Sequence, residues 1–222
     1  MQLVPAGPAA ILIQFAEKPS QQLSQQLTFF AQAITEQLSP KVLVVTPSWN
    51  TLLIQFDLLM TDFNQLAGEL DGLLTQLATQ QTLAASPKTI ELPVWYNGPD
   101  LAAVAKACQL SIDEVIRLHS EQAYFVGAIG FSPGFAYLAT LPDALVMPRR
   151  STPRTAVPAG SVAIAEQQTA VYPAQSPGGW HLLGRCPTEL VNWHNSSPII
   201  FQVGDRVRFT PISEQDYKAL LS

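Results

Sequence analysis

The spacing of apolar and polar positions divides the chain into a first part that alternates long helices with strands and a second part built of short strands. AAILIQF (9–15) has strand character, and Pro19-Ser20 then opens a helix carrying Leu23, Leu27, Phe30, Ala31, Ile34 and Leu38 at helical spacing, stopped by Pro40. KVLVVTP (41–47) and TLLIQFD (51–57) form a hairpin about Ser48, Trp49 and Asn50. Thr61 or Asp62 caps a second helix with Phe63, Leu66, Leu70, Leu73, Leu74 and Leu77 on one face. After a polar linker (79–88), KTIELPVWY (88–96) is again a strand. The order βαββαβ predicts a ferredoxin-like layer of helices on an antiparallel sheet, with a domain over residues 1–87.

From residue 88 to 222 the pattern changes. Two short helices are expected at 99–108 and 111–121, the first capped by Asp100, the second by the Ser111/Glu114 capping box. YFVGAIGF, SVAIAEQ, TAVYPA, WHLLGRCP, PIIFQV and DRVRFTPI then read as short strands between Pro/Gly turns, which predicts a closed β-barrel, followed by a terminal helix (213–221) capped by Ser213.

Composition narrows the function. Hydrophobic residues make up 47% and charged residues 13% of the 222, a packed globular balance. A net charge of −5 without a basic patch argues against nucleic acid. No apolar run is long enough to span a membrane, and no leader pattern opens the chain, so the expectation is a cytoplasmic protein. All seven arginines lie after residue 110, which directs the search for an anionic ligand to the second half. Cys108 and Cys186 have no CxxC partner, and the three histidines have no ligand-like spacing, so no metal site is expected.

Between 130 and 187 proline and glycine fix the backbone around Phe135, Tyr137, Arg149, Arg150, Arg154, Gln168, Ser176, Trp180 and Arg185. Guanidinium forks, an amide, a hydroxyl and flat rings suit a small anionic or amide-containing ligand. Arg150 is the weaker candidate, and each aromatic alone is better explained by the core. GFSPGFAYLATLP (130–142) reads as a rigid apolar loop lining a groove. His119 stands near a helix C-terminus, a position that favours its protonated form, but from this spacing alone a surface or packed histidine at a helix end is the better-supported reading. Acids are scarce, and no Walker loop, nucleophile elbow or HExxH is present.

GFSPGFAYLATLP, PRRSTPR (148–154), VPAGSVAIAEQQTAVYP (157–173) and SPGGWHLLGR (176–185) resemble successive signatures of the 5-oxoprolinase B-subunit family, which takes in the Kip-type kinase inhibitors and allophanate hydrolase subunit 1. The likeness extends upstream through LPVWYNGPDLAAVAKACQLSIDEVIRLHSEQAYFVGAIGF (92–131) and downstream to GDRVRFTPI (204–212). It implies an N-terminal α/β domain, a C-terminal cyclophilin-like barrel, and the C and A subunits of 5-oxoprolinase as partners. The activity it implies is ATP-dependent opening of 5-oxoproline to L-glutamate, with ATP and magnesium at a site shared with the C subunit. On that basis His119, Arg154 and Arg185 are expected in catalysis, and Phe135, Tyr137, Arg149, Gln168, Ser176 and Trp180 around the ligand. The alternative is a protein-binding regulator of a sensor histidine kinase. Glu166 and Gln109 stand where relatives commonly carry glycine.

Overall fold

The computed structural model describes residues 1–15, 18–79 and 87–221, and the chain divides into two compact units, Met1–Pro87 and Lys88–Ser222. The first unit runs β1 (Gln2–Pro5), β2 (Ala10–Gln14), α1 (Gln21–Leu38), β3 (Val42–Ser48), β4 (Thr51–Phe56) and α2 (Phe63–Thr79). Its antiparallel sheet has the order β1-β2-β4-β3. Alternation puts Ile11 and Ile13 of β2 and Leu52, Ile54 and Phe56 of β4 on the buried face, against Leu27 and Ile34 of α1 and Leu66 and Leu70 of α2. The Ser20 hydroxyl accepts from the Leu23 amide, and Asp62, rather than Thr61, accepts from the Gln65 amide at the start of α2.

This unit departs from the expected βαββαβ order in two ways. The opening segment forms a strand, β1, which pairs with β2 where the last strand of a ferredoxin-like unit would stand. That last strand, β5 (Thr89–Val94), instead belongs to the second unit, where it pairs parallel with β13 (Arg206–Pro211). Periodicity defines a strand but not its neighbour. The expected linker falls mostly outside the described residues.

In the second unit β5 is followed by α3 (Leu101–Ala107), α4 (Ile112–Glu121), β6 (Ala123–Ile129), β7 (Ala136–Ala139), a 3-10 turn at Asp143–Leu145, β8 (Arg154–Val157), β9 (Ser161–Ala165), β10 (Gln168–Val171), β11 (Ser176–Gly178) and β12 (His181–Arg185). After β13 comes α5 (Glu214–Leu220), opened by the Ser213/Asp216 capping box. The main sheet has the order β12-β9-β10-β7-β6-β13-β5. Its ends meet where Trp95, just past β5, exchanges both backbone hydrogen bonds with Arg185 of β12. The result is a nearly closed seven-stranded barrel. The seam is tight: a Cβ on Gly98 would run into the carbonyl of Leu182, and one on Gly184 into that of Trp95.

Two expectations along the barrel are corrected. GFSPGFAYLATLP is not one loop, since Ala136–Ala139 forms β7. PIIFQV is not a strand: it makes one isolated bridge, Val191 with Ile199, while Phe201 and Val203 bury themselves in the core. Its apolar character reflects burial without a ladder. Val162 and Ile164 of β9 face the main core, while Ala163 and Ala165 face a second cluster with Phe135, Tyr172, Trp180 and Leu182. The β8–β11 ribbon adds Val157 to that second cluster.

Candidate functional site: an arginine pocket at the barrel seam

Where the barrel closes, Asn97, Gly98, Pro99, Arg154, Ala156, Pro158, Ser161, Leu182, Gly184 and Arg185 line a pocket of about 200 Å³. Arg154 reaches it from β8 and Arg185 from β12, so two of the expected site residues share one cavity. Behind them sits Asp100. Its Oδ1 accepts from Arg154 Nη2 at 2.8 Å and from Arg150 Nη1 at 3.0 Å, and its Oδ2 accepts from the Leu182 amide at 2.8 Å. Only 7% of the Asp100 side chain is exposed. Burial alone would raise its pKa, but the bonds from Arg154 and Leu182 and the charges of Arg154 and Arg150 outweigh it, and the carboxyl is held below its ordinary range. Asp100 thus stands at the helix start but does not cap α3 with its side chain; the guanidinium groups and the Leu182 amide take its oxygens instead. Arg154 Nη1 and Arg150 Nε are buried without a protein partner.

Sequence reasoning took Asp100 only as a helix cap and did not join it to Arg150 and Arg154. The signal was present in Asp100 standing directly after Gly98-Pro99, and in an arginine pair flanked by prolines 148 and 153.

The other expected residues gather elsewhere or in the core. Arg149 is exposed, pairs with Glu166 at 3.1 Å, and lies 6.0 Å from the centroid of the Trp180 ring. Phe135 packs edge-on to Tyr137, Tyr172 and Trp180, with centroids 4.9, 5.2 and 5.8 Å away. Phe135 and Trp180 are buried and Tyr137 is half-buried, so Phe135 and Trp180 act first as core. Gln168 lines a separate, open groove of about 450 Å³ with Val146, Met147, Pro148, Glu166 and Gln167. Ser176, on β11, keeps a buried hydroxyl with no hydrogen-bond partner.

His119 is not at either cavity. It is fully buried in α4, stacked on Phe209 with centroids 4.6 Å apart. The Thr169 hydroxyl donates to the Ala163 carbonyl, so toward the imidazole it accepts, and His119 Nε2 carries the proton at 2.9 Å. Nδ1 then accepts from the Tyr96 hydroxyl at 2.7 Å. Burial pushes the His119 pKa down to about 3, opposite to the shift expected from a helix C-terminus. Desolvation outweighs the helix dipole, and the imidazole is a neutral structural bridge. Val115, one turn earlier on the same face, is also buried and could have signalled this.

Among the described residues no group of three His, Cys, Asp or Glu is placed to hold a metal, and no helix is long and apolar enough to cross a membrane. Cys108 and Cys186 are free thiols, each raised in pKa by burial. Glu166 and Gln109 both adopt left-handed backbone, φ 55° and 58°, the region that glycine enters without strain.

The chain combines a small α/β unit with a nearly closed barrel that carries an arginine pocket at its seam. The family model described as carboxyltransferase domain, subdomain C and D, matches residues 1–201, and the chain belongs to that family. Within it the chain groups with proteins named as the B subunit of 5-oxoprolinase. It is 35% identical to the one from Bacillus subtilis, with 98% of this chain and 95% of that one covered. It is 38% identical to the one from Haemophilus influenzae, covering 94% and 97%. Among solved structures it matches TTHA0988 with a TM-score of 0.80 and 34% identity over 92% of this chain, while spanning only 40% of that longer one. The Kluyveromyces lactis urea amidolyase shares the fold, with a TM-score of 0.75 and 16% identity, over 98% of this chain and 15% of that one.

Proposed function

We propose that this chain is the B subunit of an ATP-dependent 5-oxoprolinase, acting in the cytoplasm with the C and A subunits and inactive alone. The complex converts 5-oxoproline, ATP and two molecules of water to L-glutamate, ADP and phosphate. A five-membered lactam is a stable amide. Transfer of the γ-phosphoryl group to the lactam oxygen releases ADP and makes the ring carbon electrophilic; one water adds to that carbon and the ring C–N bond breaks to give γ-glutamyl phosphate, and a second water then displaces phosphate to leave L-glutamate. The observation that carries this chain's part is the meeting of Arg154 and Arg185 in one pocket with an unused guanidinium N–H. Such donors stabilise the charge that develops on a phosphoryl group in transfer.

The residues here fit a phosphate group rather than a whole nucleotide, since the pocket is smaller than the roughly 300–1,000 Å³ common for drug-sized ligands. They do not offer magnesium a site, because both oxygens of Asp100 are already engaged. In this reading the site for ATP is completed by the C subunit, and any magnesium arrives with the nucleotide. Nothing in the pocket, the fold or the names of the relatives favours the kinase-regulator alternative.

The test is glutamate release from 5-oxoproline and ATP, measured for this chain alone and after co-purification with the C and A subunits. Activity only in the full mixture is expected. Arg154→Met in the assembled complex is expected to lower kcat about 100-fold, the scale of losing one charge-stabilising donor. An assembled complex that releases no glutamate would end this reading.

A further inference from the structure

We infer that the seam pocket is a binding site for a phosphate dianion, and that this chain holds that group by itself, before any partner joins. The inference deepens the proposed function and rests on it for biological meaning, but its physical argument is separate.

Charge is the first part of that argument. Arg150, Arg154 and Arg185 bring three positive charges to the pocket and its back wall, against the single carboxylate of Asp100. Asp100 offers a ligand no competition, because Oδ1 serves two guanidinium groups and Oδ2 an amide. An excess of two positive charges remains. A doubly charged phosphate balances it, and the single carboxylate of 5-oxoproline does not.

Donor geometry is the second. Asp100 holds Arg154 by Nη2 and leaves Nη1 buried without a partner. A buried N–H with no acceptor is costly, and an incoming oxyanion supplies one. The planar fork of Arg154 is thus fixed on one side by Asp100 and keeps an unsatisfied donor, buried beside the pocket, on the other.

Rigidity is the third. Arg185 projects from the residue whose backbone closes the barrel, and Gly98 and Gly184 hold the facing strands too close for any side chain between them. Pro99 and Pro158 stiffen the rim. The donors are therefore held in place before a ligand arrives, which lowers the ordering cost of binding.

Calorimetric titration of the full chain with inorganic phosphate tests this. Saturable binding is expected, with 5-oxoproline at least about tenfold weaker, the scale set by one charge-assisted hydrogen bond. Arg185→Gln and Arg154→Lys should each weaken phosphate about tenfold or more. Arg154→Lys keeps a cation opposite Asp100, so a folding defect is avoided. Arg117→Gln, on the exposed face of α4, should change nothing. Competition by ATP would identify the phosphate as the end of a nucleotide; phosphate binding that ATP does not displace would identify it as the released product. Both results uphold the site. No saturable phosphate binding, or binding that both variants leave intact, overturns it. Phosphate binding by a chain whose assembled complex releases no glutamate would remove the proposed enzyme and keep the site; glutamate release without phosphate binding would do the reverse.

Discussion

Two arginine–carboxylate arrangements lie in the same unit and differ in nearly everything but their chemistry. At the barrel seam Asp100 is buried and shared by Arg150, Arg154 and a backbone amide. On the outer ledge Glu166 and Arg149 face each other with 55% of each side chain exposed. Burial decides what each is worth. An exposed pair contributes little, because water and salt screen it. At the seam the carboxylate has few solvent partners left, and losing it would strand two guanidinium groups and an amide.

Removing Asp100 should therefore give the largest effect. Asp100→Asn is expected to cost about 3 kcal/mol or more, the range for breaking one side of a buried pair. Urea unfolding would show it, and a cost near zero would erase the contrast between seam and ledge. Acid should separate the groups next. His119 has its pKa depressed from about 6.5 to about 3, so the stability it contributes is complete above pH 6.5 and falls as pH drops toward 3. The slope is about 1.4 kcal/mol per pH unit through that window. Asp100, also depressed, keeps its contribution until pH falls below the ordinary carboxylate value of about 4, and loses it below that. Melting curves from pH 7 to pH 3 should accordingly steepen at the acid end in the native chain and not in Asp100→Asn.

The ledge should respond weakly. Glu166→Gly relieves a left-handed backbone at φ 55° and gives up one exposed ion pair, for a net gain of up to about 1 kcal/mol. That corresponds to a rise in Tm of about 2–4 °C for a domain of this size. Smallest of all is the coupling between Arg149 and Glu166. A double-mutant cycle with Arg149→Gln and Glu166→Gln should give no more than about 0.5 kcal/mol, and nothing at 1 M salt. A larger, salt-resistant value would mean the ledge is a second organised site.

How far these features could be read in advance follows from the range of the forces involved. Ser20, Ser111 and Ser213 cap helices as their neighbours in sequence suggest, because capping is decided within four residues. The helical and strand faces of Leu27, Leu70 and Ile54 were legible for the same reason. Arg154 and Arg185 were recognisable as a pair of interest, since proline and glycine around them fix the backbone. Asp100 was not, because a carboxylate before a helix suits a cap as well as an ion pair, and the arginines that claim it lie 50 and 54 residues away. For His119 a packed histidine at a helix end was legible, but its partners were not, because Phe209, Tyr96 and Thr169 are brought to it only by barrel closure. The pairing of β5 is also a long-range choice.

That choice has a consequence for how the protein is made. β13 stands between β6 and β5 in the barrel, yet it is the last strand to be synthesised, while β5 is the first of its unit. Until residues 206–211 leave the ribosome, β5 lacks its only full-length neighbour and His119 lacks the ring it stacks on. The barrel is thus completed by its final strand, inserted between two that have been waiting, and a nascent chain stopped short of it carries open β edges on β5 and β6.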